Sequence, residues 1–210
     1  MSSNITIRLQ NVAKRYQNKW LFKNLNIEFL PGSSTAILGP NGIGKSTLIK
    51  IITGYVSASN GTILWEQISD NQVLEPFSWH QRMAMAAPYF ELMDEFTMKE
   101  MIDLHFSLKT MRKEIDLNIM LEKAGLEAQY KKQLGLFSSG MKQRLKLVLA
   151  FASQVEVLIL DEPCSNLDEA GFTWYEELIL HLPKETTVII GSNISREHQF
   201  CKHSIELSHV

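Results

Sequence analysis

A glycine-rich stretch near residue 40 constrains the fold of this chain more than any other feature. The apolar run from Thr35 to Leu38 precedes it and is typical of a buried strand. Apolar residues recur at helical spacing after it and stop at Gly54, a residue that commonly ends helices. A strand, a glycine loop and a helix in this order predict an α/β fold with a phosphate-binding loop.

The loop fits the pattern G-x-x-x-x-G-K-S/T, and its chemistry explains each required residue type. Its glycines let successive backbone N–H groups point at phosphate oxygens, and the following helix adds its positive N-terminal end. Lys45 supplies a charge to the β- and γ-phosphates, and the Ser46 hydroxyl is a candidate Mg²⁺ ligand. We therefore expect a nucleotide site formed by Gly39, Pro40, Asn41, Gly42, Ile43, Gly44, Lys45, Ser46 and Thr47.

Two acidic residues follow the apolar run Val157 to Leu160, which predicts a second buried strand. The carboxyl ends of parallel strands gather at one edge of an open α/β sheet, where ligands commonly bind. Asp161 is expected to orient Mg²⁺, and Glu162 is expected to polarise the water that attacks the γ-phosphate. The alternative interpretation is a solvated strand end without a catalytic role.

The remaining pattern indicates one domain of 210 residues, which is close to the usual domain size. Alternating apolar residues near 5–9 and 25–29 predict a small antiparallel β layer at the N-terminus. Residues 77–137 show helical spacing without a flexible linker on either side, so we expect a helical subdomain inserted into the core. A helix near 168–182 and a strand near 187–190 complete the alternation.

Charge and hydropathy exclude several classes of function. The chain has 21 Lys and Arg against 23 Asp and Glu, so it lacks the basic excess expected of a nucleic-acid-binding protein. Its apolar runs are far shorter than the roughly 20 residues that cross a bilayer, and its start lacks the features of a signal peptide. Cys164 and Cys201 form no CxxC motif and are interpreted as reduced cytosolic thiols.

Together these motifs resemble the ATP-binding cassette family, the ATPase subunits of ABC transporters, from Ile5 to about His203. The glycine loop resembles Walker A, and Leu158 to Pro163 resembles Walker B. Residues 165–168, with Ser165 and Asp168, are similar to the D-loop. The position of the family signature is occupied by a similar segment, Ser138, Ser139, Gly140 and Met141. Tyr16 resembles the aromatic residue on which adenine stacks.

The resemblance implies a P-loop NTPase core with a mixed or parallel sheet and a head-to-tail dimer that encloses two ATP molecules with Mg²⁺. The second ABC ATPase subunit is either identical or different. It also implies an integral membrane transporter subunit as partner and a cytoplasmic, peripheral location on the inner face of the membrane. The sequence ends at Val210, soon after Asn193, so we expect no C-terminal regulatory domain.

Ser139 and Met141 depart from the family signature, where glycine and glutamine are usual, and two other family positions depart more sharply. The Q-loop glutamine falls near Ala87-Pro88-Tyr89, and Gln81 is a candidate substitute. The switch histidine falls at Asn193, with His198 as the alternative; asparagine donates hydrogen bonds but carries no titratable charge. Lost donors at a transition state lower rates strongly, so we expect a slow ATPase with Glu162, Lys45 and Asn193 as catalytic residues.

Three functional hypotheses remain open. The first is an ATPase subunit of a transporter, in which the helical insertion and the loop with Tyr89, Phe90 and Leu92 contact the membrane partner. For these three side chains a role in the core is an equal alternative. The second hypothesis is a soluble ABC-type ATPase in a non-transport complex, and the third is a hydrolysis-poor switch that dimerises on ATP.

Overall fold

The computed structural model describes residues 4–70 and 72–208. Nine strands in this part of the chain form two sheets. The first sheet is antiparallel, has the strand order β2-β1-β4-β5, and confirms the predicted β layer. Its strands are β1 (Ile5–Tyr16), β2 (Lys19–Phe29), β4 (Asn60–Gln67) and β5 (Gln72–Val73).

The second sheet is parallel and has the strand order β6-β7-β8-β3-β9. Its central pairs place Asp161 opposite Gly191, and Gly191 opposite Ile37, so three strands end at one edge. The strands are β3 (Ser34–Leu38), β6 (Met83–Ala86), β7 (Val157–Asp161), β8 (Thr187–Gly191) and β9 (His203–Glu206).

Seven α-helices accompany the sheets within the described residues. Helix α3 begins with a capping box in which Thr97 and Glu100 bond each other's backbone N–H groups. Two short 3₁₀ turns, at Glu127–Gln129 and Leu134–Leu136, complete the helical region. The helices are α1 (Lys45–Ile52), α2 (Pro76–Arg82), α3 (Met98–Leu108), α4 (Leu117–Lys123), α5 (Ser139–Ala152), α6 (Glu169–Leu180) and α7 (Ser195–His198).

The parallel sheet is buried on both faces because its strands alternate between two apolar clusters. Leu158 and Leu160 pack with α5 and the helical region, whereas Val157 and Ile159 pack with α1 and the antiparallel sheet. Each such side chain contributes about 2 kcal/mol through its removal from water. This two-sided burial holds the carboxyl ends of β3, β7 and β8 in a fixed arrangement.

The predicted start of the helical insertion needs a correction. Residues 83–86 form strand β6, which pairs with β7 from Met83 opposite Val157 to Ala86 opposite Leu160. This part of the 77–137 range therefore belongs to the parallel sheet, and the helices that follow it start at Met98. The strand consists of Met and Ala, residues that favour helices, and its sheet partners override that preference.

Candidate functional site

The glycine loop lies at the carboxyl edge of the parallel sheet, between β3 and α1. Gly44 has a φ of 116°, and a Cβ at this position would lie 2.7 Å from the Leu21 side chain. Only glycine fits both the backbone conformation and the space at this point. Helix α1 begins at the next residue, Lys45, so its N-terminal N–H groups face the loop.

Lys45 is buried against the loop that it follows. Its Nζ donates hydrogen bonds to the carbonyl oxygens of Gly39 at 2.8 Å and Pro40 at 3.2 Å. Burial lowers the pKa of the Lys45 ammonium, and the carboxylates of Glu162 and Asp161 oppose this shift. The lysine is therefore a charged group held beside two acids, in the position that a triphosphate needs.

Asp161 ends β7 with its carboxylate buried. Both of its oxygens lack a hydrogen-bond partner of normal geometry among the described residues. The pKa of Asp161 rises to about 6 mainly because burial removes water, while the nearby Ser46 and Tyr89 hydroxyls lower it. Since a carboxylate without partners beside a hydroxyl is an oxygen donor set that Mg²⁺ prefers, the residues fit this cation.

Glu162 is exposed directly after this strand. Its φ of 43° turns the chain out of the sheet, and its N–H donates to the carbonyl of Gly191 at 2.8 Å. The Glu162 side chain lines a cavity of about 250 Å³ together with the loop and Tyr16. Tyr16 is 52% exposed, so its ring offers a free face to a ligand in this cavity.

The residues of the predicted signature lie at the start of α5. Ser138 caps this helix by accepting a hydrogen bond from the Met141 N–H at 3.2 Å. A Cβ on Gly140 would lie 2.8 Å from the carbonyl oxygen of Asn166, so glycine permits the close approach of this neighbouring loop. A cleft of about 330 Å³ opens here, lined by Ser138, Ser139, Gly140, Met141 and Asp168.

The cleft of about 330 Å³ is here called the signature cleft, and the cavity of about 250 Å³ beside the phosphate loop is called the Lys45 cavity. Within the described chain the two have no lining residue in common. The Lys45 cavity is lined by the phosphate loop, Glu162 and Tyr16. The other presents a helix N-terminus, a hydroxyl and backbone N–H groups. Each cleft therefore offers only part of the groups that surround a triphosphate in the predicted dimer.

Comparison with known proteins places the chain in a family. A family model described as ABC transporter matches residues 22–165. The lantibiotic transport ATP-binding protein SrtF of Streptococcus pyogenes is 30% identical over 197 residues, which cover 91% of this chain and 81% of that protein. The chain belongs to the ABC transporter family. It is an ATP-binding protein of this family and carries the family's ATPase fold.

Other relatives and solved structures agree with this assignment. The Nod factor export ATP-binding protein I of Burkholderia thailandensis is 30% identical over 95% of this chain and 66% of that protein. A putative ABC transporter ATP-binding protein from Pyrococcus furiosus has a TM-score of 0.75 and 23% identity, covering 96% of this chain and 97% of that chain. A bacterial Atm1-family ABC exporter with ATP bound has a TM-score of 0.80 and 20% identity, covering 99% and 38%.

Asn193, the residue expected at the switch position, contacts the phosphate loop directly. The Asn193 amide donates a hydrogen bond to the Asn41 side-chain oxygen. Asn193 follows β8, next to the strand end that carries Asp161. His198, the alternative, lies farther along the chain at the end of α7. Asn193 is therefore the residue that the fold places on the loop.

The predicted D-loop residues have contacts within the chain. Asp168 caps α6 by accepting a hydrogen bond from the Gly171 N–H at 2.9 Å, and it forms an ion pair with Arg144 of α5. The Gly171 hydrogen bond is the main reason why the pKa of Asp168 is lowered. Ser165 donates its N–H to the Glu162 carbonyl at 3.0 Å. These contacts connect the signature helix to the loop that follows Walker B.

The structure separates the alternatives that the sequence left open for Gln81 and for the 87–92 loop. Gln81 lines a separate cavity of about 430 Å³ with Arg112 and Glu156, at the edge where β7 begins, so it lies away from Asp161. Leu92 is buried in the core, and the Tyr89 hydroxyl is buried near the Asp161 carboxylate. Of the three side chains expected as surface contacts, only Phe90 is exposed, at 37%.

Sequence reasoning missed the inward position of Tyr89. Its location shortly after an unrecognised strand, β6, was the signal that could have found it. Because β6 pairs with β7 in parallel, the residues after Ala86 emerge at the same edge as Asp161.

No helix in residues 4–70 and 72–208 combines the length and apolar character that a bilayer crossing requires.

Proposed function

We propose that this ABC ATP-binding protein binds ATP with Mg²⁺ at the Lys45 loop, hydrolyses it slowly, and drives a separate membrane subunit. The observation that carries the proposal is the convergence of Lys45, Ser46, Asp161 and Glu162 at one edge of the sheet. These groups provide a phosphate cradle, an oxygen donor set and an exposed carboxylate. Such a combination suits transfer of a phosphoryl group to water.

In the proposed site, different residues bind the phosphates, the adenine and the cation, and Glu162 acts on the attacking water. The loop N–H groups and Lys45 bind the β- and γ-phosphates, Tyr16 stacks on the adenine, and Ser46 with Asp161 hold the cation. A bound Mg²⁺ would neutralise charge that develops on the phosphate oxygens. Glu162 accepts a proton from the attacking water as general base, because it is the exposed carboxylate beside the loop.

The second ATP-binding subunit follows from the two separate clefts. We propose that the signature cleft of a second subunit, identical or different, covers the γ-phosphate bound at the Lys45 loop. Ser138 and the N-terminal N–H groups of α5 would contact that phosphate. Closure of the dimer on ATP and its reopening after hydrolysis then supply the motion.

The membrane partner is proposed to dock on a cleft of about 380 Å³ beside the 87–92 loop, here called the Phe90 cleft. Tyr55 and Phe90 contact edge-to-face at 6.3 Å between ring centroids and are both exposed. Exposed apolar side chains clustered in a groove are typical of an interaction site. The subunit would lie on the cytoplasmic face of the membrane through the transporter subunit and would bind no nucleic acid.

Slow hydrolysis is proposed because two side chains expected to face the γ-phosphate in the assembled site lack a group that the family pattern has there. Asn193 has no titratable charge, and Met141 has no hydrogen-bond donor on its side chain. The same observations favour a second candidate function, a switch that closes on ATP and hydrolyses it very slowly. A soluble ABC-type ATPase in a non-transport complex uses the same site without the Phe90 cleft.

The deciding experiment measures ATP turnover of the purified chain with Mg²⁺, beside the Glu162→Gln variant. Light scattering with and without ATP follows dimer formation in both proteins. Wild-type turnover that the variant loses, with a dimer that persists in the variant, supports the ATPase. ATP binding without turnover in the wild type supports the switch, and absence of ATP binding contradicts both.

The docking site has its own test. Phe90→Ser is expected to keep the wild-type ATP affinity while less of the protein is recovered with the membrane fraction of its source cells. The matched control is Leu180→Ser on α6, which removes an apolar side chain that is 80% exposed outside the cleft. Equal recovery of Phe90→Ser and wild type contradicts docking at this cleft.

A further inference from the structure

The Tyr89 hydroxyl lies beside the Asp161 carboxylate and has no role in the proposed function above. All three oxygens are buried, and none has a hydrogen-bond partner of normal geometry among the described residues. A buried hydroxyl or carboxylate without a partner is destabilising by about 1–3 kcal/mol or more. Such groups in a cleft therefore point to a ligand that completes their hydrogen bonds.

The chain holds Tyr89 in this position from two sides. The buried Lys146 of α5 donates hydrogen bonds to the carbonyl oxygens of Ala87 at 3.1 Å and Pro88 at 2.9 Å, which fixes the loop. The Lys50 ammonium of α1 lies 3.8 Å from the centroid of the Tyr89 ring. The ring is thus anchored without using its hydroxyl, which remains directed at Asp161.

We propose that Tyr89 is a positioning residue for the metal–nucleotide complex. Its hydroxyl donates a hydrogen bond to the Asp161 carboxylate and accepts one from a water molecule bound to the cation. This inference rests on the proposed function, since it concerns the same magnesium site. It adds Tyr89 to the residues that hold the cation at that site, through a hydrogen bond to a metal-bound water.

The chemistry of a phenol decides the kind of contact. A neutral hydroxyl donates one hydrogen bond and accepts others, whereas Mg²⁺ keeps several of its waters when it binds to proteins. The Tyr89 hydroxyl therefore suits a bound water better than the cation itself. The Tyr89 hydroxyl should strengthen ATP binding only when the cation is present, because one of its two hydrogen-bond partners is a water bound to the metal.

The test is calorimetric titration of the full chain with ATP, once with Mg²⁺ and once with EDTA. Tyr89→Phe removes the hydroxyl and keeps the ring over Lys50. We expect about tenfold weaker ATP binding with Mg²⁺, since hydrogen bonds to charged groups contribute about this factor or more, and unchanged binding in EDTA. Tyr130→Phe, a hydroxyl deletion in the helical region outside the Lys45 cavity, is the matched control and should change neither affinity.

Two results would overturn the assignment. Unchanged affinity of Tyr89→Phe in both buffers means that the hydroxyl does not act at the metal site. An equal loss with Mg²⁺ and with EDTA means that Tyr89 acts only through packing. If wild type itself binds no ATP in either buffer, the proposed function fails first, and this result is distinct from a failure of Tyr89 alone.

Discussion

The Lys45 cavity and the signature cleft differ in how much of their chemistry the chain itself completes. At the Lys45 cavity, the buried Lys45 and the Ser46 hydroxyl of α1 lie beside the buried Asp161 carboxylate at the end of β7. In the signature cleft, Ser138 and Ser139 are exposed at a helix tip, and no titratable side chain of the cleft is buried. The first site is organised within one molecule, whereas the second offers a surface to another.

Because of this difference, mutations in the two clefts should affect different steps. Changes in the Lys45 cavity should alter ATP binding or chemistry in a single subunit. Changes at the signature cleft should leave ATP binding by one subunit intact and act only on the closed dimer.

The largest effect is expected for Glu162→Gln. The amide keeps the shape of the carboxylate but cannot accept a proton, and loss of a general base lowers rates by about 100- to 10,000-fold. Turnover measured by phosphate release should fall in this range, while ATP affinity stays at the wild-type value. Turnover equal to that of wild type would contradict the role of Glu162.

Lys45→Ala should have the next largest effect, now on binding. The variant removes the charge that faces the phosphates, and ATP affinity measured by calorimetry should fall by about 100-fold, as expected for loss of a charged contact in a buried site. Lys142→Ala is the matched control from the signature helix, where Lys142 pairs with Asp94. If both variants lost affinity equally, the contrast between the two clefts would be wrong.

The Walker motifs could be predicted from the sequence because their physics is local. Glycine spacing, a following lysine and an acidic pair after an apolar run each specify a backbone shape or a charge within a few residues. The structure brings Lys45, Ser46, Asp161 and Glu162 to the same sheet edge. The antiparallel β layer was predictable for the same reason, from the alternation in β1 and β2.

Strand β6 and the position of Tyr89 could not be predicted in this way. The four residues Met83–Ala86 have no alternating pattern, and their strand conformation depends on pairing with β7, which lies more than 70 residues away. The inward turn of Tyr89 depends in addition on Lys146 and Lys50. Local spacing contains no signal for such long-range contacts.

A smaller effect is expected in the pH dependence of stability without Mg²⁺. Burial raises the Asp161 pKa from 3.8 to about 6, so between these values the folded state binds more protons than the unfolded state. The contribution of Asp161 to the free energy of unfolding therefore falls as the pH rises from about 4 to 6, by about 3 kcal/mol at most.

Asp161→Asn should remove this contribution, because its side chain does not titrate. Urea unfolding is measured at several pH values in EDTA. As the pH rises, the free energy of unfolding should decline less steeply in the variant than in wild type, and at pH 7 it should be higher in the variant. Parallel curves for the two proteins would mean that the carboxylate is solvated in the folded state. The signature cleft has no buried carboxylate, so residues of that cleft should not cause a pH dependence of this kind.

The smallest effect is expected for Ser138→Ala on the signature side. The variant loses the cap of α5, and this should lower the free energy of unfolding by about 1 kcal/mol. Ser139→Ala is the control, since Ser139 is the first helical residue and does not cap. ATP affinity of the isolated subunit should equal wild type in both variants, while ATP-induced dimerisation, followed by light scattering, should weaken in Ser138→Ala beyond its control. A loss of ATP affinity in the single subunit would show that the signature hydroxyl acts within its own chain, and the division between the two clefts would fail.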